Sequence, residues 1–212
     1  MSLFDQTTPR GWQALPLPGA ALSLWPQWLC RGEADALFAE LQATIPWEVH
    51  HIRMFGREVA SPRLSCWMGD EDASYVYSGT HFAPHPWTPT LLALRERVAH
   101  ACDAPFNSVL ANLYRNGQDS MGWHSDYEPE LGREPVIASL SLGAARRFRL
   151  KPRGAAARGD VLAIELEHGS VLRMAGETQQ RYVHDLPKTS AAVGPRINLT
   201  FRWVDASRRR AD

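Results

Sequence analysis

From residue 107 to residue 203 the chain is a succession of short β-favouring runs, and no helical period separates them. The runs cover 107–114, 136–142, 147–151, 161–164, 170–174, 181–184 and 196–203, with glycines and prolines as punctuation. A parallel sheet needs a crossover of a dozen or so residues, usually a helix, between successive strands. Strands that follow one another this closely must instead pair antiparallel, as a sandwich, a barrel or a jelly roll.

The first hundred residues have another texture. Pro9, Pro16, Pro18 and Pro26 break residues 1–30 into an extended arm expected to pack on the domain. Residues 32–44 carry Leu37, Phe38 and Leu41 at helical spacing, and Pro46 ends the run. A second helix is predicted from Thr88, a good cap, with Pro89 in the first turn and Leu91, Leu94 and Val98 along one face. Between the helices, 49–54, 63–68 and 75–77 read as short strands. The expectation is an α+β, mainly β, single domain over 1–212. Residues 1–104 supply the arm, two flanking helices and hairpins, 105–204 the β core, and 205–212 a basic tail.

Bulk properties narrow the partners. Lys+Arg and Asp+Glu both number 23, so nucleic-acid binding would need a local patch. No run approaches the roughly eighteen apolar residues of a membrane span, and the first residues have no basic-then-apolar signal. A cytoplasmic protein without an anchor is expected, working as a monomer. Cys30, Cys66 and Cys102 are widely spaced, which suggests reduced thiols and neither zinc nor a disulfide. Cys66 and Trp123 read as packing residues.

Chemistry enters at Trp123-His124-Ser125-Asp126. On an extended chain residues two apart share a side, so His124 and Asp126 can reach one metal. His184 stands sixty residues on, near the end of another predicted strand. Two imidazoles and a carboxylate on one face of an octahedron are the ligand set of non-haem Fe(II) oxygenases. With eight histidines in the chain, this spacing alone leaves surface or core histidines open. The last strand adds weight: Arg196, Asn198, Thr200 and Arg202 alternate with Ile197, Leu199, Phe201 and Trp203, the apolar set expected to face the core. A half-exposed strand would alternate too, but two arginines bracketing Asn and Thr on one face suit a dicarboxylate. Asn112 and Tyr114, again two apart, could complete the cradle.

These stretches together resemble the AlkB-like Fe(II)/2-oxoglutarate dioxygenases, which repair alkylated nucleic-acid bases. The resemblance is carried by Asn112-Leu113-Tyr114, His124-Ser125-Asp126, Ala138-Ser139-Leu140-Ser141, His168-Gly169-Ser170, Tyr182-Val183-His184 and Arg196-Ile197-Asn198-Leu199-Thr200-Phe201-Arg202. It implies a double-stranded β-helix (jelly roll) fold, Fe(II) on His124, Asp126 and His184, and 2-oxoglutarate and O₂ as cosubstrates. Arg196, Asn198 and Tyr114 would hold the far carboxylate of 2-oxoglutarate. Thr200 shares their face, and Arg202 and Asn112 would lie near its chelating end. The implied reaction is oxidative demethylation of N-alkylated bases in DNA; action on RNA or on protein is the alternative, and a catalytically silent β-sandwich that binds nucleic acid is a rival from another class.

The front half is similar to the branch of that family that works on duplex DNA, through Met54-Phe55-Gly56, Pro62-Arg63-Leu64 and Tyr75-Val76-Tyr77-Ser78-Gly79. By that likeness Phe55 is an aromatic finger, Tyr75 and Tyr77 stack on a flipped base, Arg63 and Ser78 belong to the substrate-binding hairpins, and Glu128 contacts the base edge. The sequence departs from the pattern at Tyr127 and in the 187–195 loop, whose basic residue is Lys188. Arg147, Arg149 and Lys151 alternate with Phe148 and Leu150 on one strand face. They fit a solvated sheet face or, in a nucleic-acid enzyme, a stripe that neutralises backbone phosphates.

Overall fold

The structure is a computed structural model that describes residues 11–54, 57–73, 75–77, 80–82, 84–154 and 161–208. The first half of the chain holds β1 (Gln13–Leu15), β2 (Ala21–Trp25), α1 (Arg31–Thr44), β3 (His51–Met54), β4 (Arg57–Ala60), β5 (Leu64–Gly69), β6 (Tyr75–Tyr77), β7 (Thr80–Phe82) and α2 (Pro89–Cys102). The second half holds β8 (Ser108–Tyr114), β9 (Met121–His124), β10 (Ile137–Gly143), β11 (Arg146–Pro152), β12 (Leu162–Leu166) and β13 (Ser170–Ala175). It closes with α3 (Thr178–Arg181), β14 (Tyr182–Leu186) and β15 (Arg196–Arg202).

Strands β8 to β15 interleave into two antiparallel sheets, the double-stranded β-helix expected of the sequence. The major sheet runs β1-β2-β13-β10-β15-β8-β5 and the minor sheet β12-β11-β14-β9. Two hairpins, β3–β4 and β6–β7, stand apart from both. The arm does more than pack: β2 pairs with β13 from Val171↔Trp25 to Ala175↔Ala21 and so joins the major sheet.

Both long helices form where the sequence predicts them. Thr88 caps α2 by accepting from the Leu91 N–H at 3.2 Å, with Pro89 in the first turn. α1 stops at Thr44 because Ile45, preceding Pro46, is driven to extended backbone. Their apolar faces, with Leu41, Leu91, Leu94 and Val98, share one core with the outward residues of the major sheet. Each fully buried leucine there contributes about 1.5–3 kcal/mol. A second core fills the space between the sheets, with Ile137, Leu172 and Met174 on one side and Phe148, Leu150 and Ile164 on the other.

This two-sided burial decides the fate of β15. Ile197, Leu199 and Phe201 enter the helix-side core, while Arg196, Asn198, Thr200 and Arg202 are buried on the opposite side and line a pocket between the sheets. Trp203 breaks the expected pattern: the strand ends at Arg202, and Trp203 is 49% exposed instead of joining the core. β9, β4, β7 and the one-turn α3 also go beyond the sequence reading.

Candidate active site

The pocket opens between the sheets, its walls drawn from β8, β10, β13 and β15 on one side and β9, β11 and β14 on the other. The sequence places His124 at the end of β9 and His184 on β14, and the ladder puts them in register as direct partners. Their rings meet edge-on with centroids 4.2 Å apart, and Phe148 backs His184 at 5.1 Å. Asp126, two residues past His124, brings Oδ1 to 4.0 Å from His124 Nε2. One donor atom from each of His124, Asp126 and His184 lies within 4.8 Å of the others, and these three are the metal-capable group among the described residues.

The protonation states suit metal binding. His124 Nδ1 lies 2.9 Å from the Gly122 carbonyl oxygen; donation there leaves Nε2 as the lone-pair donor. Burial pushes His184 down to about 3, helped by its neighbour His124, so its imidazole stays neutral at physiological pH. Burial likewise lowers His124. Burial alone would raise Asp126, but the Arg202 guanidinium outweighs it and holds the carboxyl well below the usual carboxylate range. Arg202 Nη2 donates to Asp126 Oδ2 at 2.8 Å. Two neutral nitrogens from paired strands and one anionic oxygen from the segment just past β9 fit a divalent iron and leave other coordination positions to small ligands.

The rest of the β15 face fits a carboxylate. Arg196 is 1% exposed, and its Nη2 donates to Ser141 Oγ at 2.8 Å. Its Nε and Nη1 are buried with no hydrogen-bond partner, and no carboxylate pairs with it among the described residues. Burial lowers its pKa to about 10, and the Tyr114 ring packs 5.3 Å from its guanidinium carbon. A buried guanidinium with no carboxylate partner is costly unless an anion arrives. The carboxylate of a 2-oxo acid supplies that anion with a matching fork of acceptors. Asn198 and Thr200 are tied in beside it: Asn198 Nδ2 donates to Ser139 Oγ at 2.8 Å and the Leu140 carbonyl at 3.1 Å, and Thr200 Oγ1 donates to Asn198 Oδ1 at 3.0 Å. Asn112 accepts at 2.7 Å from Nε of Arg63, whose Nη1 donates to Ser61 at 2.9 Å.

Of the other predicted substrate residues, Arg63 and Glu128 line the same pocket. Phe55 and Ser78 lie outside the described residues. Tyr75 and Tyr77 are on β6, where the backbone is described. The β11 residues sit on the outer face of the minor sheet, each with a neighbour. Arg149 grips Asp185 through Nε–Oδ1 at 2.8 Å and Nη2–Oδ2 at 2.5 Å. Arg147 faces Glu165 at 3.9 Å, and Lys151 Nζ lies 4.2 Å from the Trp123 ring centroid. Trp123, read from sequence as packing, is 37% exposed.

One residue of the site escapes the sequence reading. Gln179, on α3 and 1% exposed, accepts the Asp126 backbone N–H at 3.0 Å through Oε1. It thereby fixes the segment that carries the carboxylate of the metal-capable group. The signal is faint: Thr178-Gln179-Gln180 is a polar run with no period, and its helix is one turn long.

A jelly roll with converging imidazoles and carboxylate at one end of the pocket and an orphaned arginine at the other defines the class of iron oxygenases that take a 2-oxo-acid cosubstrate. The comparisons make the family specific. Residues 21–202 match the profile of the 2OG-Fe(II) oxygenase superfamily. The chain is 42% identical over 188 residues to the alpha-ketoglutarate-dependent dioxygenase alkB homolog 3 of Bos taurus, covering 83% of this chain and 65% of that protein. The Homo sapiens alkB homolog 3 is 39% identical over 89% of this chain and 68% of its own length. The DNA oxidative demethylase ALKBH2 of Mus musculus is 37% identical over 82% of this chain and 76% of its own. The match to the bovine protein thus spans just under two thirds of that relative. Among solved structures, OsALKBH1 superposes with a TM-score of 0.61 at 16% identity, over 90% of this chain and 99% of that one, which supports the fold. The chain belongs to the 2OG-Fe(II) oxygenase superfamily and, within it, to the AlkB-like proteins.

Proposed function

We propose that this protein is an Fe(II)- and 2-oxoglutarate-dependent demethylase of N-alkylated nucleic-acid bases, with DNA as the favoured substrate. The observation that carries it is the buried Arg196 guanidinium, without a carboxylate partner in the same pocket that gathers His124, Asp126 and His184. With 2-oxoglutarate and O₂, the iron supplies the oxidising power that hydroxylates an N-alkyl carbon, after which the hemiaminal releases an aldehyde. His124, Asp126 and His184 would hold the iron, and Arg196, aided by the Tyr114 ring and Ser141, would anchor the far carboxylate. Arg202 keeps Asp126 ionised and oriented. Trp67, Leu110, Met174, Phe148 and Leu186 keep much of the pocket wall apolar, which favours a water-poor site.

A base inside a duplex cannot reach such a buried site, so the nucleotide must leave the stack. Arg63, Glu128, His50 and Ser61 line the pocket and are placed to meet it. In the β3–β4 hairpin Met54 pairs with Arg57; Phe55, which follows Met54 in sequence, is the residue read as filling the vacated stack. The relatives named for DNA oxidative demethylation favour DNA, and the same chemistry serves RNA.

The test is product analysis by mass spectrometry of N-methylated DNA and RNA oligonucleotides, single- and double-stranded, incubated with Fe(II) and 2-oxoglutarate. Loss of the methyl group from DNA is expected, and Phe55→Ala should slow the duplex substrate far more than the single strand. Consumption of 2-oxoglutarate with no methyl lost from any of the four substrates would overturn the reading.

A further inference from the structure

The reading of the substrate as nucleic acid leaves open how the strand beside the reacting nucleotide is held, and the outer face of the minor sheet bears on that. β9 is the edge strand of this sheet. Its side chains alternate across the sheet, so His124 lines the pocket while Trp123 sits on the other face. On β11, Phe148 and Leu150 fill the core between the sheets, and Arg149 and Lys151 are on the outer side with Trp123. Arg149 Cζ lies 5.0 Å and Lys151 Nζ 4.2 Å from the Trp123 ring centroid. Next along, Arg153 Cζ lies 5.3 Å from the Tyr127 ring centroid, and its Nη2 donates to Ser125 Oγ at 2.9 Å.

Two features of this patch select a ligand. Trp123 is 37% exposed and Tyr127 42%, and they adjoin the metal-site residues His124 and Asp126 in sequence. The charge beside them is only partly answered: Asp185 takes both ends of the Arg149 fork, while Lys151 and Arg153 have no acidic partner among the described residues. Open π faces beside uncompensated cations suit a ligand that is both anionic and built of flat rings. An acidic peptide brings charge without regular rings, and a duplex hides its ring faces in its own stack; an unpaired nucleotide strand offers both. Because the patch begins on the edge strand, a strand entering the pocket past β9 can rest against the outer face as well.

We infer that Trp123 and Tyr127, with Lys151 and Arg153, form a platform that stacks unpaired bases and holds phosphates of single-stranded nucleic acid just outside the catalytic pocket. The inference rests on the nucleic-acid reading above and adds to it a binding surface distinct from the metal and cosubstrate sites.

The experiment is fluorescence anisotropy of the full chain with an end-labelled, unmethylated single-stranded DNA oligonucleotide, and in parallel the duplex of the same sequence, across a salt series. Trp123→Leu should weaken single-strand binding about tenfold, as removal of one base–aromatic stack implies, and should affect the duplex less. Trp123→Phe should restore most of the affinity. Lys151→Ala combined with Arg153→Ala, both on the surface, should reduce the magnitude of the single-strand salt slope by about 1.4, roughly 0.7 for each phosphate that is no longer neutralised. Unchanged affinity in Trp123→Leu, equal weakening by Leu and Phe, or an unchanged slope in the double variant would each overturn the platform. If the unaltered protein demethylates oligonucleotides while these variants bind normally, the platform alone falls. If the unaltered protein neither binds nor demethylates them, the nucleic-acid reading falls with it.

Discussion

Asp126 and Asp185 are both buried aspartates, each close in sequence to a pocket histidine and each paired with an arginine, Asp126 with Arg202 from the opposite sheet and Asp185 with Arg149 from the adjacent strand, yet they serve opposite ends. Asp185 receives Arg149 of β11 as a two-pronged clamp, so both carboxylate oxygens are occupied. Asp126 receives Arg202 of β15 on Oδ2, and Oδ1 points toward His124 Nε2 at 4.0 Å. Burial and a cationic partner are common to both. What sets Asp126 apart as a candidate ligand is a lone pair left uncommitted on the pocket side. The contrast follows from the partners: Arg149 lies on the outer face of the minor sheet against Trp123, whereas Arg202 lies on the polar face of β15 that lines the pocket.

The sharpest way to break this contrast is to neutralise each aspartate in turn. Asp126→Asn should lose bound iron and at least about 100-fold in turnover, because removing one of three protein ligands uncouples the site. Asp185→Asn should keep iron and turnover and lower the melting temperature. Metal content after gel filtration, with 2-oxoglutarate consumption, reads both; iron loss in Asp185→Asn would erase the distinction. Next in size is Arg196→Lys, which keeps a charge but loses the planar fork. The half-saturating concentration of 2-oxoglutarate should rise about tenfold or more, as loss of a charge-assisted hydrogen bond of about 1.5–3 kcal/mol implies. A fall in melting temperature with unchanged cosubstrate dependence would make Arg196 structural.

Arg149→Leu should cost about 1–3 kcal/mol of stability, because it strands the Asp185 carboxylate, 5% exposed, without its partner. Arg149→Leu with Asp185→Leu should recover much of that loss, since the penalty comes from the widowed charge. Urea melts of both variants check this; a double variant as unstable as the single one would mean that the pair acts through packing. The smallest expected effect is at Gln179. Gln179→Leu leaves the Asp126 N–H unanswered and should weaken iron binding about tenfold, read by metal titration. Unchanged affinity there would show that the backbone position of Asp126 needs no support from α3.

Much of this is legible in the sequence alone. β15 announces itself because its alternation is complete and both of its faces are buried, so each residue is under constraint. α2 is equally clear, through the Thr88 cap and the Pro89 start. What stays hidden lacks period or length. β9 is four residues with a glycine, and it pairs only through an irregular register with β14. α3 is a single turn, so Gln179 has no pattern to advertise it. Alternation reports which side chains share a face, not what that face meets. Hence the arginines of β11 and β15 look alike in sequence, and the clamp of Arg149 on Asp185 cannot be foreseen from it. Trp203 shows the converse error, an apolar residue in phase with its strand but beyond the strand's end.

The pairing of β2 with β13 bears on how this protein can be handled. β13 carries Val171, Leu172 and Met174, and its free flank is covered by residues 21–25 of the arm. Among the described residues the sheet ends beyond β2 in β1, a strand of three residues, and a margin that short gives another chain little to extend. Shortening the protein to begin at α1 would expose five consecutive backbone positions of an apolar strand, a template for chain-to-chain aggregation. By covering β13, an N-terminal segment that looks dispensable beside the pocket removes an edge on which a second molecule could add.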